Sequence, residues 1–201
     1  MGYLVAPDRI NTTQFTLRCY EPGDGLLLCQ AICASYEHLR TFMPWASPDY
    51  SVEEAERFCR TSLARYLLAE DFTLGIFSPD GRRLLGGSGY HLREGDLTTR
   101  NAEIGMWIRA DAAGQGLGTR VLVTLLRWGF DVWPWRRLSW RCDARNLASA
   151  RVAAKGGLQK EGLLRSDFPL EDGTRRDTLI FSAIRDEWLS QVGDLANDPA
   201  R

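Results

Sequence analysis

Long apolar runs are missing from this sequence, and so is any strong charge of one sign. No stretch reaches the roughly 20 apolar residues that a membrane-crossing helix needs. Residues 1–11 are mixed and carry Pro7, Asp8 and Arg9, which is not the pattern of a signal peptide. A cytoplasmic protein without membrane attachment is therefore expected. The net charge is −1 and the pI about 6.2, which argues against general binding to nucleic acid or membrane surfaces. The cysteines (Cys19, Cys29, Cys33, Cys59 and Cys142) are odd in number and show no CxxC pair, so no disulfide framework is read. The only histidines, His38 and His91, are far apart, which does not suit a histidine zinc site. Cys29 and Cys33 share a helix face four residues apart and read as core packing rather than a metal site, so no metal is expected. There is no repeat, no low-complexity tract and no linker. One domain over 1–201 is expected, with its ordered core over about 11–190 and a polar, frayed tail from 193 to 201.

What is present centres on residues 102–130, AEIGMWIRADAAGQGLGTRVLVTLLRWGF. Residues 102–108 are apolar and free of proline, as a buried strand would be. Gly114, Gly116 and Gly118 follow at every second position, and then Leu117, Val121, Leu122, Leu125, Leu126 and Trp128 recur at helical spacing. The order is strand, glycine turn, helix. The first N–H groups of a helix lack intrahelical partners and lie at its electropositive end. Glycines let an anion approach that end closely. Phosphate or pyrophosphate binding is the natural reading, with the N–H groups of Gln115, Gly116, Gly118 and Thr119 as donors. No lysine follows, which excludes a P-loop, and the glycine spacing is wrong for G-x-G-x-x-G. Glycines that merely shape a turn remain the plain alternative.

The rest of the chain reads as follows. Residues 11–20 alternate around Phe15, Leu17 and Cys19 and predict a first strand. Asp24 is read as the N-cap of a helix running through Leu28, Ile32 and Tyr36. Residues 39–50 carry Phe42, Met43, Pro44 and Trp45, which could line an acceptor pocket or simply plug the core. Ser51-Val52-Glu53-Glu54 is a capping box that opens a helix to about Glu70. Residues 72–77 and 84–92 predict a hairpin turned by Ser78-Pro79-Asp80-Gly81. Gly86, Gly87 and Gly89 in its second strand point to a bulge or a close backbone approach. A strand over 137–142, a short helix capped by Asn146 and ended by Gly156-Gly157, and strands over 158–164 and 179–184 complete the chain. Trp133 and Trp135, beside Pro134, are read as exposed and hint at a contact surface, so a homodimer stays open.

The segment Gln115-Gly116-Leu117-Gly118-Thr119, after the strand Glu103-Ile104-Gly105-Met106-Trp107-Ile108, resembles the acetyl-CoA loop of the GNAT acyltransferase superfamily, Q/R-x-x-G-x-G/A. The leading Gln/Arg position falls on Ala113, a departure that leaves pyrophosphate binding to the backbone. Ala102-Glu103-Ile104-Gly105-Met106-Trp107-Ile108 is similar to the A-E-I-G-Y-W strand of the RimJ/RimL branch, with Met106 in place of Tyr. Asn146 through Ser149, then Gly157-Leu158-Gln159-Lys160-Glu161-Gly162, resembles its N-x-x-S…G-F-x-x-E-G stretch, with Leu158 in place of Phe. The resemblance spans the chain from Phe15 onward.

This resemblance implies an α/β GNAT fold. Its central sheet is mixed, mostly antiparallel and of about seven strands, flanked by helices. It implies a parallel strand pair, 103–108 and 137–142, that splays apart at the acetyl-CoA site. The pantetheine arm would pair with the backbone of Met106, Trp107 and Ile108, where an N–H also polarises the thioester carbonyl. The pyrophosphate would sit on Gly114, Gln115, Gly116, Leu117, Gly118 and Thr119. Asn146 would bond the pantetheine, and Ser149 would protonate the CoA thiolate; for both, helix capping is the competing role. Glu103 would be the general base, directly or through water, because a carboxylate in an apolar strand can be raised into a useful range. Pairing of Glu103 with an arginine is the competing role.

The expected function is N-acetyl transfer from acetyl-CoA to an amine by direct attack in a ternary complex. The acceptor is an N-terminal protein α-amine or a small amine, because fold does not fix the acceptor. A non-catalytic acyl-CoA sensor is the alternative. A nucleotide-phosphate enzyme is weakened by the absent lysine and the absent magnesium-binding carboxylates.

Overall fold

The computed structural model describes residues 5–170 and 173–188, and the tail expected to fray lies outside them. The chain divides into two compact units, 1–92 with 104–118 and 93–103 with 119–201. One strand, β5 (Asn101–Ile108), contributes to both.

The first unit holds β1 (Arg9–Asn11), β2 (Thr16–Cys19), α1 (Gly25–Cys33), α2 (Tyr36–Leu39), α3 (Val52–Leu67), β3 (Phe72–Phe77) and β4 (Leu84–His91). Its strands hydrogen-bond in the order β1–β2–β3–β4–β5. Ala55, Cys59, Ser62 and Tyr66 recur at helical spacing on α3 and are buried. Tyr20, Leu28, Ala31, Ile32, Phe77 and Leu84 complete that core, and Trp107 of β5 packs against it. Ser51 caps α3 as the sequence predicts: its hydroxyl accepts from Glu54 N–H at 3.1 Å, and Glu54 returns a bond to Ser51 N–H at 2.9 Å.

The second unit holds most of α4 (Leu117–Asp131), β6 (Arg137–Asp143), α5 (Leu147–Lys155), β7 (Gln159–Pro169) and β8 (Arg175–Ile184), in the strand order β5–β6–β8–β7. The β5–β6 pair is parallel, with register Asn101↔Arg137 to Glu103↔Ser139. That ladder ends at Glu103, although β5 continues to Ile108 and β6 to Asp143.

Several sequence expectations need correction. The strand expected over 11–20 is a small hairpin, because Thr12 Oγ1 bonds both the carbonyl and the N–H of Phe15 and turns the chain between β1 and β2. The described residues thus form eight strands, in keeping with the expected sheet of about seven. The first helix stops at Cys33 and a separate turn, α2, follows. Asp24 stands at the N-cap of α1 but its side chain does not cap it. Its carboxylate is held by the Arg18 guanidinium at 2.6 and 2.8 Å, and the Gly23 and Gly25 N–H groups are met instead by Glu56 of α3. Trp133 and Trp135 are 2% and 0% exposed, so they form no contact surface. They stack on each other at 5.7 Å, and Trp128 of α4 meets Trp133 edge-on. Covering that much aromatic area is the most favourable use of it. β7 and β8 are longer than expected.

Candidate functional site

On the first unit the site begins at the outer half of β5. Met106, Trp107 and Ile108 are half-buried. Gly86 and Gly87 of β4 let this strand come close, as their sequence pattern predicts. A Cβ on Gly86 would stand 2.2 Å from the Trp107 carbonyl oxygen, and one on Gly87 would stand 2.5 Å from the Trp107 indole nitrogen. Trp45, 47% exposed, meets the ring of Trp107 edge-on at 5.9 Å. The 39–50 loop thus packs onto Trp107, which itself packs against the core, as the plug reading has it, while Trp45 stays half exposed. Cys29 and Cys33 point together at the Tyr50 carbonyl, at 3.0 and 3.4 Å.

The glycine turn follows. Gly114 and Gly116 have φ of +74° and +78°, which a Cβ-bearing residue rarely adopts. Nothing lies within 4 Å of a Cβ built on Gly114, so the turn opens outward. Helix α4 starts directly after it at Leu117, whose side chain is buried in the core; only its backbone is available to a ligand. The structure also shows what the sequence reading missed. With Ala113 at the Gln/Arg position, Gln115 orders the loop, its Nε2 donating to the Asp111 carbonyl at 3.1 Å. Asp111 is in turn paired with Arg83 at 2.8 Å and with Arg109 at 3.1 Å.

On the second unit, Glu103 is largely buried, its side chain 14% exposed, and pairs with Arg93 at 3.1 Å. The ion pair foreseen as the competing role is therefore present. The Arg93 side chain is 61% exposed, so water screens the pairing. Asn146 caps α5, its Oδ1 accepting from Ser149 N–H at 3.0 Å. No hydrogen bond engages its side-chain amide N–H2 among the described residues. Ser149 Oγ accepts from the Trp140 indole at 3.0 Å, which fixes the hydroxyl's position, and its own hydrogen is directed to the Cys142 sulfur. Burial pushes the Cys142 thiol up, while a hydrogen bond from Ser149 offsets part of that rise.

A pair the sequence reading did not find lies at the end of the β3–β4 hairpin. Asp71 Oδ1 is 2.8 Å from His91 Nδ1. The register Phe72↔Tyr90 brings these two residues opposite each other, and only strand pairing makes that visible. Among the described residues, no group of three or more His, Cys, Asp or Glu could hold a metal ion, and no helix is long and apolar enough to cross a membrane.

The acetyltransferase (GNAT) domain family model matches residues 14–159. A Bacillus subtilis (strain 168) protein named uncharacterized N-acetyltransferase YoaA is 30% identical over 135 residues, 67% of this chain and 75% of the relative. Among solved structures, the ribosomal-protein-S5-alanine acetyltransferase of Vibrio fischeri superposes with a TM-score of 0.79 at 18% identity, over 90% of this chain and 99% of that one. RimL, the ribosomal L7/L12 alpha-N-protein acetyltransferase solved with coenzyme A, gives 0.77 at 22% identity, over 87% and 96%. At such identities the likeness speaks for the fold.

Proposed function

Because the chain belongs to the GNAT acetyltransferase family, we propose that it is a cytoplasmic, single-domain enzyme that moves the acetyl group of acetyl-CoA onto an amine, with a protein N-terminal α-amine as acceptor. The observation that carries this reading is the turn at Gly114 and Gly116. Positive φ at both residues, just before the first turn of α4, suits a turn whose backbone N–H groups could meet an anion at an electropositive helix end.

In this reading the pyrophosphate of acetyl-CoA takes the N–H groups of Gln115, Gly116, Gly118 and Thr119. The pantetheine arm pairs with the backbone of Met106, Trp107 and Ile108, and an N–H there polarises the thioester carbonyl. The amide N–H2 of Asn146 bonds the pantetheine while its oxygen keeps capping α5. Glu103 accepts a proton from the acceptor nitrogen, directly or through water. The free amine attacks the carbonyl carbon and loses that proton to Glu103 as the C–N bond forms, the C–S bond breaks, and Ser149 gives its proton to the departing thiolate and regains one from water. Direct attack in a ternary complex fits, because no cysteine falls in these motifs. The acceptor reading is supported by the RimJ/RimL likeness and by two structural neighbours named as ribosomal-protein acetyltransferases, one of them an alpha-N-protein acetyltransferase.

Thermal unfolding with and without acetyl-CoA tests the donor, with ATP and NAD as controls. A ligand that binds the folded state at about 100 times its Kd adds about 2.7 kcal/mol. A rise in Tm with acetyl-CoA alone is expected, and no rise at millimolar acetyl-CoA rejects the reading. Acetylation of peptides beginning with Ala or Ser then tests the acceptor. A second reading, an acyl-CoA sensor, is favoured by the structural duties that Glu103, Asn146 and Ser149 already carry. It predicts the same rise in Tm with no turnover on any amine.

A further inference from the structure

The Asp71–His91 pair is not explained by packing. Both side chains are mostly buried, 15% and 16% exposed, and a buried ionisable pair is seldom better for stability than two apolar residues. Asp71 is held firmly, since Thr73 Oγ1 donates to its Oδ2 at 2.7 Å. Burial alone would push the Asp71 carboxyl up, but the hydrogen bond and charge of His91, with help from Thr73 and Arg65, outweigh it and hold it below the usual range. An ionised carboxylate can only accept, so His91 Nδ1 carries the hydrogen. Nε2 is then the ring's proton acceptor.

That nitrogen has no hydrogen-bond partner among the described residues. It lies against β5, where a Cβ built on Gly105 would stand 3.1 Å from Nε2. Gly105 directly precedes Met106, the first residue of the backbone run assigned to the pantetheine arm. A buried carboxylate thus orients an imidazole, and the free nitrogen of that imidazole faces the strand on which the thioester would end.

We propose that the Asp71–His91 pair, set against Gly105 of β5, is the proton-accepting dyad for the acceptor amine. This rests on the acetyltransferase reading above. Two protons leave the acceptor nitrogen on the way to an amide. The first turns the ammonium into a free amine, and it passes to His91 Nε2 and from there to water. The second leaves after the C–N bond has formed, through Glu103. The C–S bond breaks, the CoA sulfur takes one proton from Ser149, and Ser149 regains one from water, so that one proton is released overall. Asp71 does not change protonation. It holds the ring in place and stabilises the imidazolium that forms, so it is a positioning residue.

The chain has two histidines, so a protein labelled with 15N in its imidazole rings gives two ring systems to assign. The expected result on the wild-type protein is that neutral His91 carries its hydrogen on Nδ1, and that its Nε2 signal moves when acetyl-CoA is added while His38 stays still. A hydrogen on Nε2, or an Nε2 signal indifferent to acetyl-CoA, overturns the proposal. With a peptide substrate whose acetylation by the wild type is established, His91→Gln and Asp71→Asn should each lower kcat, His91→Gln by about 100-fold, the scale of general-base catalysis. KM for acetyl-CoA should be unchanged. A purely structural pair would instead lower Tm and leave kcat in place, and that result overturns the proposal. If neither variant folds, the tautomer of the wild type decides. Failure of the acetyltransferase reading shows separately, as a wild-type protein whose Tm ignores acetyl-CoA.

Discussion

The residues proposed to hold acetyl-CoA on the first unit and those on the second work through different parts of the chain. On the first, Met106–Ile108 and the glycine turn offer backbone, and the identity of most side chains there matters little. Leu117 makes the point, since its side chain is spent in the core while its N–H opens the helix. On the second, Asn146 and Ser149 offer side chains that also hold the fold, one capping α5 and the other accepting from Trp140. A backbone site is broken by geometry, whereas a side-chain site is broken by chemistry, and there the loss of function is mixed with loss of structure. Resemblance in the first region therefore carries more functional weight than resemblance in the second.

The sharpest way to break the comparison is Gly116→Val. A β-branched residue at φ +78° is strained by about 1–3 kcal/mol, so the turn would re-form with its N–H groups aimed elsewhere. The expected outcome is a KM for acetyl-CoA about 100-fold higher, since each 1.4 kcal/mol is tenfold, with kcat at saturation nearly unchanged. Steady-state kinetics reads both values. An unaltered KM would remove the backbone role of the turn. Ser149→Ala comes next and should show the opposite pattern: kcat about 10-fold lower, KM for acetyl-CoA steady, and a Tm lowered because the Trp140 indole loses its acceptor. Removing one buried partner costs about 1–3 kcal/mol. Ser149→Thr keeps the hydroxyl and should recover kcat. If Ser149→Ala lowers only Tm, the hydroxyl serves the fold and not the thiolate.

How legible these regions were in the sequence follows the same division. The β3–β4 hairpin was readable to within a residue, because Ser78-Pro79-Asp80-Gly81 fixes its turn locally. The Ser51 capping box and the close approach at Gly86 and Gly87 were also local and readable. What failed depended on partners distant in sequence. Asp24 looked like a cap, but Arg18 took its carboxylate and Glu56 reached across from α3 to replace it. Trp133 and Trp135 looked exposed beside a proline, yet Trp128 and their own stacking bury them. Asp71 and His91 lie twenty residues apart and meet only through strand register. The departure at Ala113 was seen, but its replacement by Gln115 was not, because that bond returns to a carbonyl four residues back and leaves no pattern of residue types.

Gln115 sharpens the comparison from the loop side with a smaller effect. Gln115→Ala removes the bond to the Asp111 carbonyl while leaving Asp111 paired with Arg83 and Arg109. An exposed hydrogen bond of this kind contributes about 0.5–1.5 kcal/mol. KM for acetyl-CoA should rise by about 3-fold, measured at equal kcat. A rise as large as that of Gly116→Val would mean that Gln115 touches the ligand itself.

The smallest effect belongs to an ion pair of the second unit that is assigned to neither set. The Arg137 guanidinium, helped by the Ser182 hydroxyl at 2.7 Å, pulls the Glu161 carboxyl down to about 2. A carboxyl depressed in the folded state adds stability above its unfolded range, and that stability is lost as pH falls toward about 2. The Glu161 side chain is 37% exposed, so solvent screens the pair and its worth stays below about 1 kcal/mol. Glu161→Gln should lower Tm by about 2 °C at neutral pH. The difference should shrink to nothing near pH 2, where the wild-type carboxyl is itself losing its charge. Kinetic constants should not change. If Glu161→Gln altered KM or kcat as much as Ser149→Ala, the second unit would not separate into site and scaffold, and the mixing of structure with chemistry would extend along β7 as well as α5.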